Sequence, residues 1–164
     1  MKLAITGTPG TGKTVLAKSL AKKLKAVVIN EKDFALRKKA GRQNKRLGEV
    51  EVDVKKLEKE LNKELKKHEN AIVEGHLLCE ARLSVDAIIV LTFDPFKLQK
   101  RLEKRGYAPE KVLDNVFCET ISYCLEKTKK NYQKQKIIIV PSEKTISGTI
   151  KKTISELRGR GFLN

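Results

Sequence analysis

The sequence predicts an α/β fold, a five-stranded parallel sheet with helices on both faces. Two observations lead there. Five apolar runs, at 2–6, 26–29, 71–74, 86–93 and 137–140, lack the polar alternation of a strand that faces water on one side. Segments with helical spacing separate them, as parallel crossover connections require. The length of 164 residues suits one domain with its own core.

The elements follow in order. The first run ends at Gly7, and after a glycine-rich segment residues 14–24 place Val15, Leu16, Ala17, Leu20, Ala21 and Leu24 on one helical face. The second run ends at Asn30, and Asp33 reads as the N-cap of a short helix through Arg37. Residues 37–46 hold six basic side chains, no acid and a central Gly41, and read as a loop or frayed helix. From 54 to 68, Val54, Leu57, Leu61 and Leu65 recur at helical spacing, with Lys and Glu on the other faces. Asp94 and Pro95 supply a cap and a first-turn proline for a helix that carries Leu98 and Leu102 and stops near Gly106. Pro109 opens a helix to about Asn131. Pro141 stops the fifth strand, and Ile146, Ile150, Ile154 and Leu157 mark the last helix. There is no internal repeat, low-complexity linker or clear second domain.

Lys and Arg number 36 against 20 Asp and Glu, a net charge of +16 that favours anionic partners such as nucleotides, RNA or an acidic surface. The chain is too short for a helicase motor or for a AAA-type module with its own lid domain. No apolar run reaches the roughly 18 residues of a membrane span, and the first residues do not form a signal peptide. A soluble cytoplasmic protein is expected. Cys79, Cys118 and Cys124 make an odd count without a C-x-x-C pair, so reduced, mostly buried thiols are expected rather than a disulfide framework or a zinc knot.

Gly7 to Thr14, GTPGTGKT, matches the phosphate-binding loop G-x-x-x-x-G-K-[ST] between a strand and a helix. Gly7, Gly10 and Gly12 let backbone N–H groups curl around phosphates, and the helix aims its positive end at the same charge. Lys13 is expected to reach the β- and γ-phosphates, and the Thr14 hydroxyl to ligate Mg²⁺. An N-K-x-D guanine element is missing: Asn44-Lys45 is followed by Arg46-Leu47. The size favours a kinase of small molecules over a signalling GTPase.

Such enzymes place an acid at the end of a neighbouring strand, where it helps to hold Mg²⁺. Glu74 and Asp94 both qualify. Asp94 has a sufficient role as a helix cap, so Glu74 is preferred. His76 lies just beyond that strand end, where it orients an attacking water, couples Mg²⁺ binding to movement, or simply bonds the loop backbone. Arg101 and Arg105 stand at i,i+4 and can point from one helical face toward a moving phosphoryl group. They read equally well as a basic, solvated helix end.

These motifs resemble the small atypical adenylate kinases of the isoenzyme six group, with archaeal members, which also act in assembly of the small ribosomal subunit. The resemblance covers nearly the whole chain. It rests on GTPGTGKT at 7–14, the Asn30 to Asp33 step, EVDV at 51–54, VEGH at 73–76 and, most specifically, RLEKRGYAPEKVLDNVFCE at 101–119. It implies a P-loop nucleoside monophosphate kinase fold in a single domain, 1–164, with a monophosphate-binding segment at about 30–53 and a short lid at about 103–113. ATP would be held by Gly10, Gly12, Lys13, Thr14 and the Val15 backbone, and the lid would carry Arg105, with Arg101, onto it. The family's acid-X-histidine motif falls on Glu74 and His76. Many relatives have aspartate at the first of these, and many have Asp-x-Ala-Arg where this chain has Asp33-Phe34-Ala35-Leu36, with Arg37 one place late. The arginine that holds the monophosphate is therefore unassigned.

The expected reaction is ATP + AMP ⇌ 2 ADP with Mg²⁺, by in-line transfer. The resemblance also implies ATP hydrolysis and a complex with a small-subunit platform protein, ribosomal protein eleven. That protein is itself basic, so nearby rRNA or acidic residues such as Glu49, Glu51 and Asp53 would mediate the contact. The alternatives are a dedicated assembly ATPase with incidental kinase turnover, and a P-loop kinase of another small metabolite such as shikimate.

Overall fold

Strand β1 (Lys2–Thr6) lies at the centre of the sheet, which runs β2 (Val27–Asn30), β5 (Ala71–Glu74), β1, β6 (Ala87–Thr92), β7 (Ile137–Pro141), all parallel. The computed structural model describes residues 1–44, 49–143 and 145–163, and the backbone alone of Glu49. Successive side chains of a strand point to opposite faces. Leu3 and Ile5 accordingly pack with Leu16, Leu20 and Leu157 under α1 (Lys13–Leu24) and α7 (Ile146–Gly159). Ala4 enters the opposite core with Leu57 and Leu61 of α3 (Val54–Leu65) and with Cys124 and Tyr132. Burial on both faces is why these strands are continuously apolar.

The connection from β1 runs to β2 on one side and that from β5 crosses to β6 on the other, so a crevice opens at the carboxyl ends of β1 and its neighbours, where such sheets bind ligands. Helix α2 (Glu31–Arg37) starts there, capped by Asn30 rather than Asp33. The Asn30 side chain accepts the Asp33 N–H at 3.0 Å, which puts Asp33 in the third helical position. Residues 37–46 are not simply a loop: Gly41–Asn44 forms β3 and pairs antiparallel with β4 (Glu49–Val52). A Cβ on Gly41 would stand 2.8 Å from the Val50 side chain, so glycine permits this close pairing. Lys45, Arg46, Leu47 and Gly48 lie outside the described residues, as does part of the expected basic stretch.

Helix α4 (Pro95–Lys104) has the expected Asp94 cap, with the Lys97 N–H donated at 2.9 Å. The helix expected from Pro109 to Asn131 is two, α5 (Pro109–Thr120) and α6 (Tyr123–Asn131), divided at Ser122 with φ 53°. The break lets α5 pack Val112 on Leu98 and Leu102 of α4, while α6 turns Cys124 and Thr128 into the main body. One straight helix cannot serve both contacts.

Candidate active site

The phosphate-binding loop is shaped by its glycines. Gly7, Gly10 and Gly12 all have positive φ, at 142°, 95° and 102°. At Gly7 a Cβ would lie 2.4 Å from the Leu91 carbonyl oxygen, so substitution meets backbone as well as strain. At Gly10 it would meet Leu98 and Leu102 at 2.9 and 2.8 Å, because α4 packs directly on the loop. Gly12 precedes the first turn of α1, whose early amides lack intrahelical partners and remain for phosphate. Val15 is in that turn, with its side chain half exposed.

Lys13 is less exposed than a loop-surface lysine. Its ammonium donates to the carbonyls of Gly7 at 2.8 Å and Thr8 at 3.1 Å. Burial lowers its pKa, against the opposing pull of Cys124, Glu74, Glu31 and Glu119.

Glu74 ends β5, almost fully buried, and its Oε1 accepts the Thr14 hydroxyl at 3.1 Å and the Asn30 amide. Asp94 is occupied as a cap, so the strand-end acid beside Thr14 is Glu74. Thr14 and Glu74 offer hard oxygen donors on one spot, which fits Mg²⁺, an ion that takes few protein ligands and draws the rest from phosphate and water. No cluster of three or more His, Cys, Asp or Glu suited to a metal occurs among the described residues.

His76 opens the 3-10 turn Leu77–Cys79 with its ring half exposed, and its Nδ1 stands 3.7 Å from Glu31 Oε1. Arg101 is tied to the loop: its Nη1 donates to the Gly10 carbonyl at 3.0 Å, and its guanidinium lies 4.1 Å from the centroid of the Phe93 ring. Burial and the neighbouring Arg105 charge lower its pKa. Arg105 is not brought into the site. It is exposed at the C-cap of α4. Arg37 also faces away, exposed over the Phe34 ring at 5.4 Å. Of the acids named for a partner contact, Glu51 accepts the Asn44 amide at 2.7 Å and Asp53 caps α3; the Glu49 side chain lies outside the described residues.

Three site residues escape sequence reasoning. Glu119 of α5 accepts the Thr8 hydroxyl on one oxygen and the Phe93 N–H at 2.6 Å on the other, fastening the loop to the end of β6. Cys124 lines the cavity described next, with Cys79 behind it; all three cysteines are free. The third is Glu31, 2% exposed in the first turn of α2. Its Oε2 accepts the Leu77 N–H at 2.8 Å, and its carboxyl presses on Gly75, where a Cβ would lie 2.0 Å from Oε2. Burial raises its pKa to about 7. For Glu31 the only local signal was an acid in a first helical turn. Glu119 stood inside the 101–119 block without an assigned role.

Two cavities flank the loop. One, of about 300 Å³, is bounded by Phe93, Asp94, Lys97, Arg101, Ser142 and Glu143. The other, of about 430 Å³, runs from Thr8 and Pro9 past Glu31 and His76 to Tyr107, Asp114 and Tyr123.

The sequence family described as "AAA domain" matches residues 3–122, from β1 to the break after α5. A Pyrococcus abyssi protein named "Putative adenylate kinase" is 44% identical over 125 residues, 76% of this chain and 67% of the relative. The chain belongs to this family. A Methanocaldococcus jannaschii member with the same name is 38% identical over 130 residues, 79% of this chain and 72% of the relative. The deoxyadenosine kinase of M. mycoides, solved with dCMP and dCDP, shares the fold at a TM-score of 0.62 and 20% identity, over 97% of this chain and 100% of that one. The chain therefore has the P-loop kinase fold of an adenylate-kinase-like family. Among the described residues no helix is long and apolar enough to cross a membrane.

Proposed function

We propose that the chain is a nucleoside monophosphate kinase that transfers the γ-phosphoryl group of ATP to AMP, and that it also hydrolyses ATP. The observation that carries this reading is the pair of cavities on either side of one phosphate-binding loop. The cavity beside Arg101 and Ser142 is joined to the loop through Gly10 and Thr11, whose carbonyls these side chains bond at 3.0 and 3.1 Å. It suits the donor nucleotide. The larger cavity begins at Thr8 and Pro9 and suits the acceptor. Two bound reactants meeting at Lys13 react by position and charge neutralisation, with little covalent work for the protein. Mg²⁺ beside Thr14 and Glu74 would neutralise phosphate charge. A coupled assay of ADP made from ATP with and without AMP tests the assignment; ADP production that ignores AMP would overturn it.

In this reading residues 30–53 border the acceptor and 103–113 form the lid. The connection between α4 and α5 is only residues 105–108, so a small movement suffices to swing Arg105. Turnover is expected to fall most in Arg105→Ala, less in Arg101→Ala and least in Lys104→Ala. Arg101→Ala is also expected to raise KM for ATP and lower Tm, because it loses a loop bond and a cation–π contact worth about 0.5–2 kcal/mol. Arg105→Ala should leave Tm unchanged. Three equal, small effects would mark a solvated basic helix end.

His76 serves hydrolysis in this scheme. An AMP phosphate oxygen is already anionic and needs no help, whereas an attacking water must be oriented, the task given to His76. His76→Ala is expected to depress ATP hydrolysis more than AMP phosphorylation, measured on one preparation. Equal loss of both would assign it to loop structure.

The resemblance supports a role with the small-subunit platform protein in late subunit maturation; the +16 charge supports work beside ribosomal RNA and does not account for the contact with that basic protein. Stimulation of ATP hydrolysis by that protein, absent with a control basic protein, is the expected result.

A further inference from the structure

We infer that Glu31 is the general base that takes the proton of a neutral acceptor, water, when the enzyme hydrolyses ATP. The inference rests on the proposed phosphoryl-transfer reading and adds a residue that reading does not use.

The placement is the argument. Asn30 ends β2 and bonds Glu74, which in turn holds Thr14, so Glu31 begins one residue from the chain of contacts on the metal side of the loop. Its carboxyl then turns into the larger cavity, which it shares with Thr8 and Pro9 of the loop. Glu31 is packed against Gly75 and held through Oε2 by the Leu77 N–H, so the group is fixed rather than swinging. With the Leu78 N–H, which also bonds the carboxylate, this uses two of its roughly four lone-pair positions. Oε1 has His76 at 3.7 Å, beyond hydrogen-bond length, and keeps acceptor capacity. A buried carboxylate with spare acceptor capacity suits an O–H donor.

The step balances. The bond from the γ-phosphorus to the ADP oxygen breaks as the water oxygen bonds phosphorus. The water proton passes to the Glu31 carboxylate and then to solvent through the cavity, leaving ADP, inorganic phosphate and a proton. The groups facing Glu31 are Lys13 from α1, Glu74 from β5 and His76 from the following loop, with Lys111 and Asp114 of α5 lining the same cavity. Burial dominates them and raises the pKa to about 7, within the range where a base is effective at neutral pH.

Glu31→Gln keeps the shape and can keep the Leu77 bond. In this variant ATP hydrolysis without AMP is expected to fall by on the order of a hundredfold. Wild-type hydrolysis should rise with pH through about 7, as the base ionises, and the variant should lose that rise. ADP formation from ATP and AMP should lose far less in kcat, because its acceptor needs no base; KM for AMP is fitted separately, since Glu31 lines the acceptor cavity, and a thermal melt reports a folded protein. Wild-type hydrolysis in the variant, or equal loss of both activities, would overturn the inference. If the wild type fails to phosphorylate AMP, the monophosphate-kinase reading fails by itself, while the hydrolysis rates and their pH profiles still decide the role of Glu31.

Discussion

Lys13→Ala is expected to lower phosphoryl transfer by roughly a hundredfold or more while the protein stays folded. A cation placed against the moving phosphoryl group is worth on the order of 3 kcal/mol in the barrier when its site is preorganised and dry. The fold has little to lose. The Lys13 ammonium bonds the Gly7 and Thr8 carbonyls at 2.8 and 3.1 Å, and burial already disfavours its charge. The Tm change should therefore be small beside the rate change. Steady-state rates with ATP and AMP, read beside a thermal melt, check both. A folded variant with near wild-type turnover would remove the phosphate-binding role of the loop.

Glu74→Ala is expected to be nearly as severe, and to strike kinase and hydrolysis rates together. In the proposed function both reactions need Mg²⁺, and Glu74 and Thr14 would hold it beside the loop. The substitution also strips two donors, the Thr14 hydroxyl and the Asn30 amide, of their shared acceptor. A buried polar group left without a partner costs about 1–3 kcal/mol, so Tm should drop, unlike in Lys13→Ala. Glu74→Gln separates the two effects. It can still accept from Thr14 but carries no charge, so it should recover stability and still require more Mg²⁺ for half-maximal rate. An unchanged Mg²⁺ requirement in Glu74→Gln would assign the residue a structural role alone.

Much of this site was legible along the chain. Five buried strands could be recognised because both their faces are covered, and the loop because strand, glycines, Lys13 and Thr14 are consecutive. Glu74 was preferred to Asp94 because a proline after Asp94 explains that acid as a cap, and the cap is present. The readings that failed share one cause. The spacing allows Asp33 as a cap, but Asn30 holds that place while also reaching Glu74 on a neighbouring strand. A single helix was read across Ser122 because nothing local forbids it; packing on α4 and on the main body in two directions divides it.

By itself the sequence determined the fold class, the order of the five sheet strands along the chain and the residues of the phosphate-binding motif, since each depends on spacing within a few residues. Only the tertiary structure decided that Arg101 rather than Arg105 rests on the loop, that Glu119 fastens Thr8, and that Glu31 sits beside His76. Those contacts join residues 91, 111 and 45 positions apart. Local periodicity carries no information across such distances. The crossovers of the sheet bring these groups to the carboxyl ends of β1, β2, β5 and β6, and burial there gives Glu31 and Lys13 their altered proton affinities.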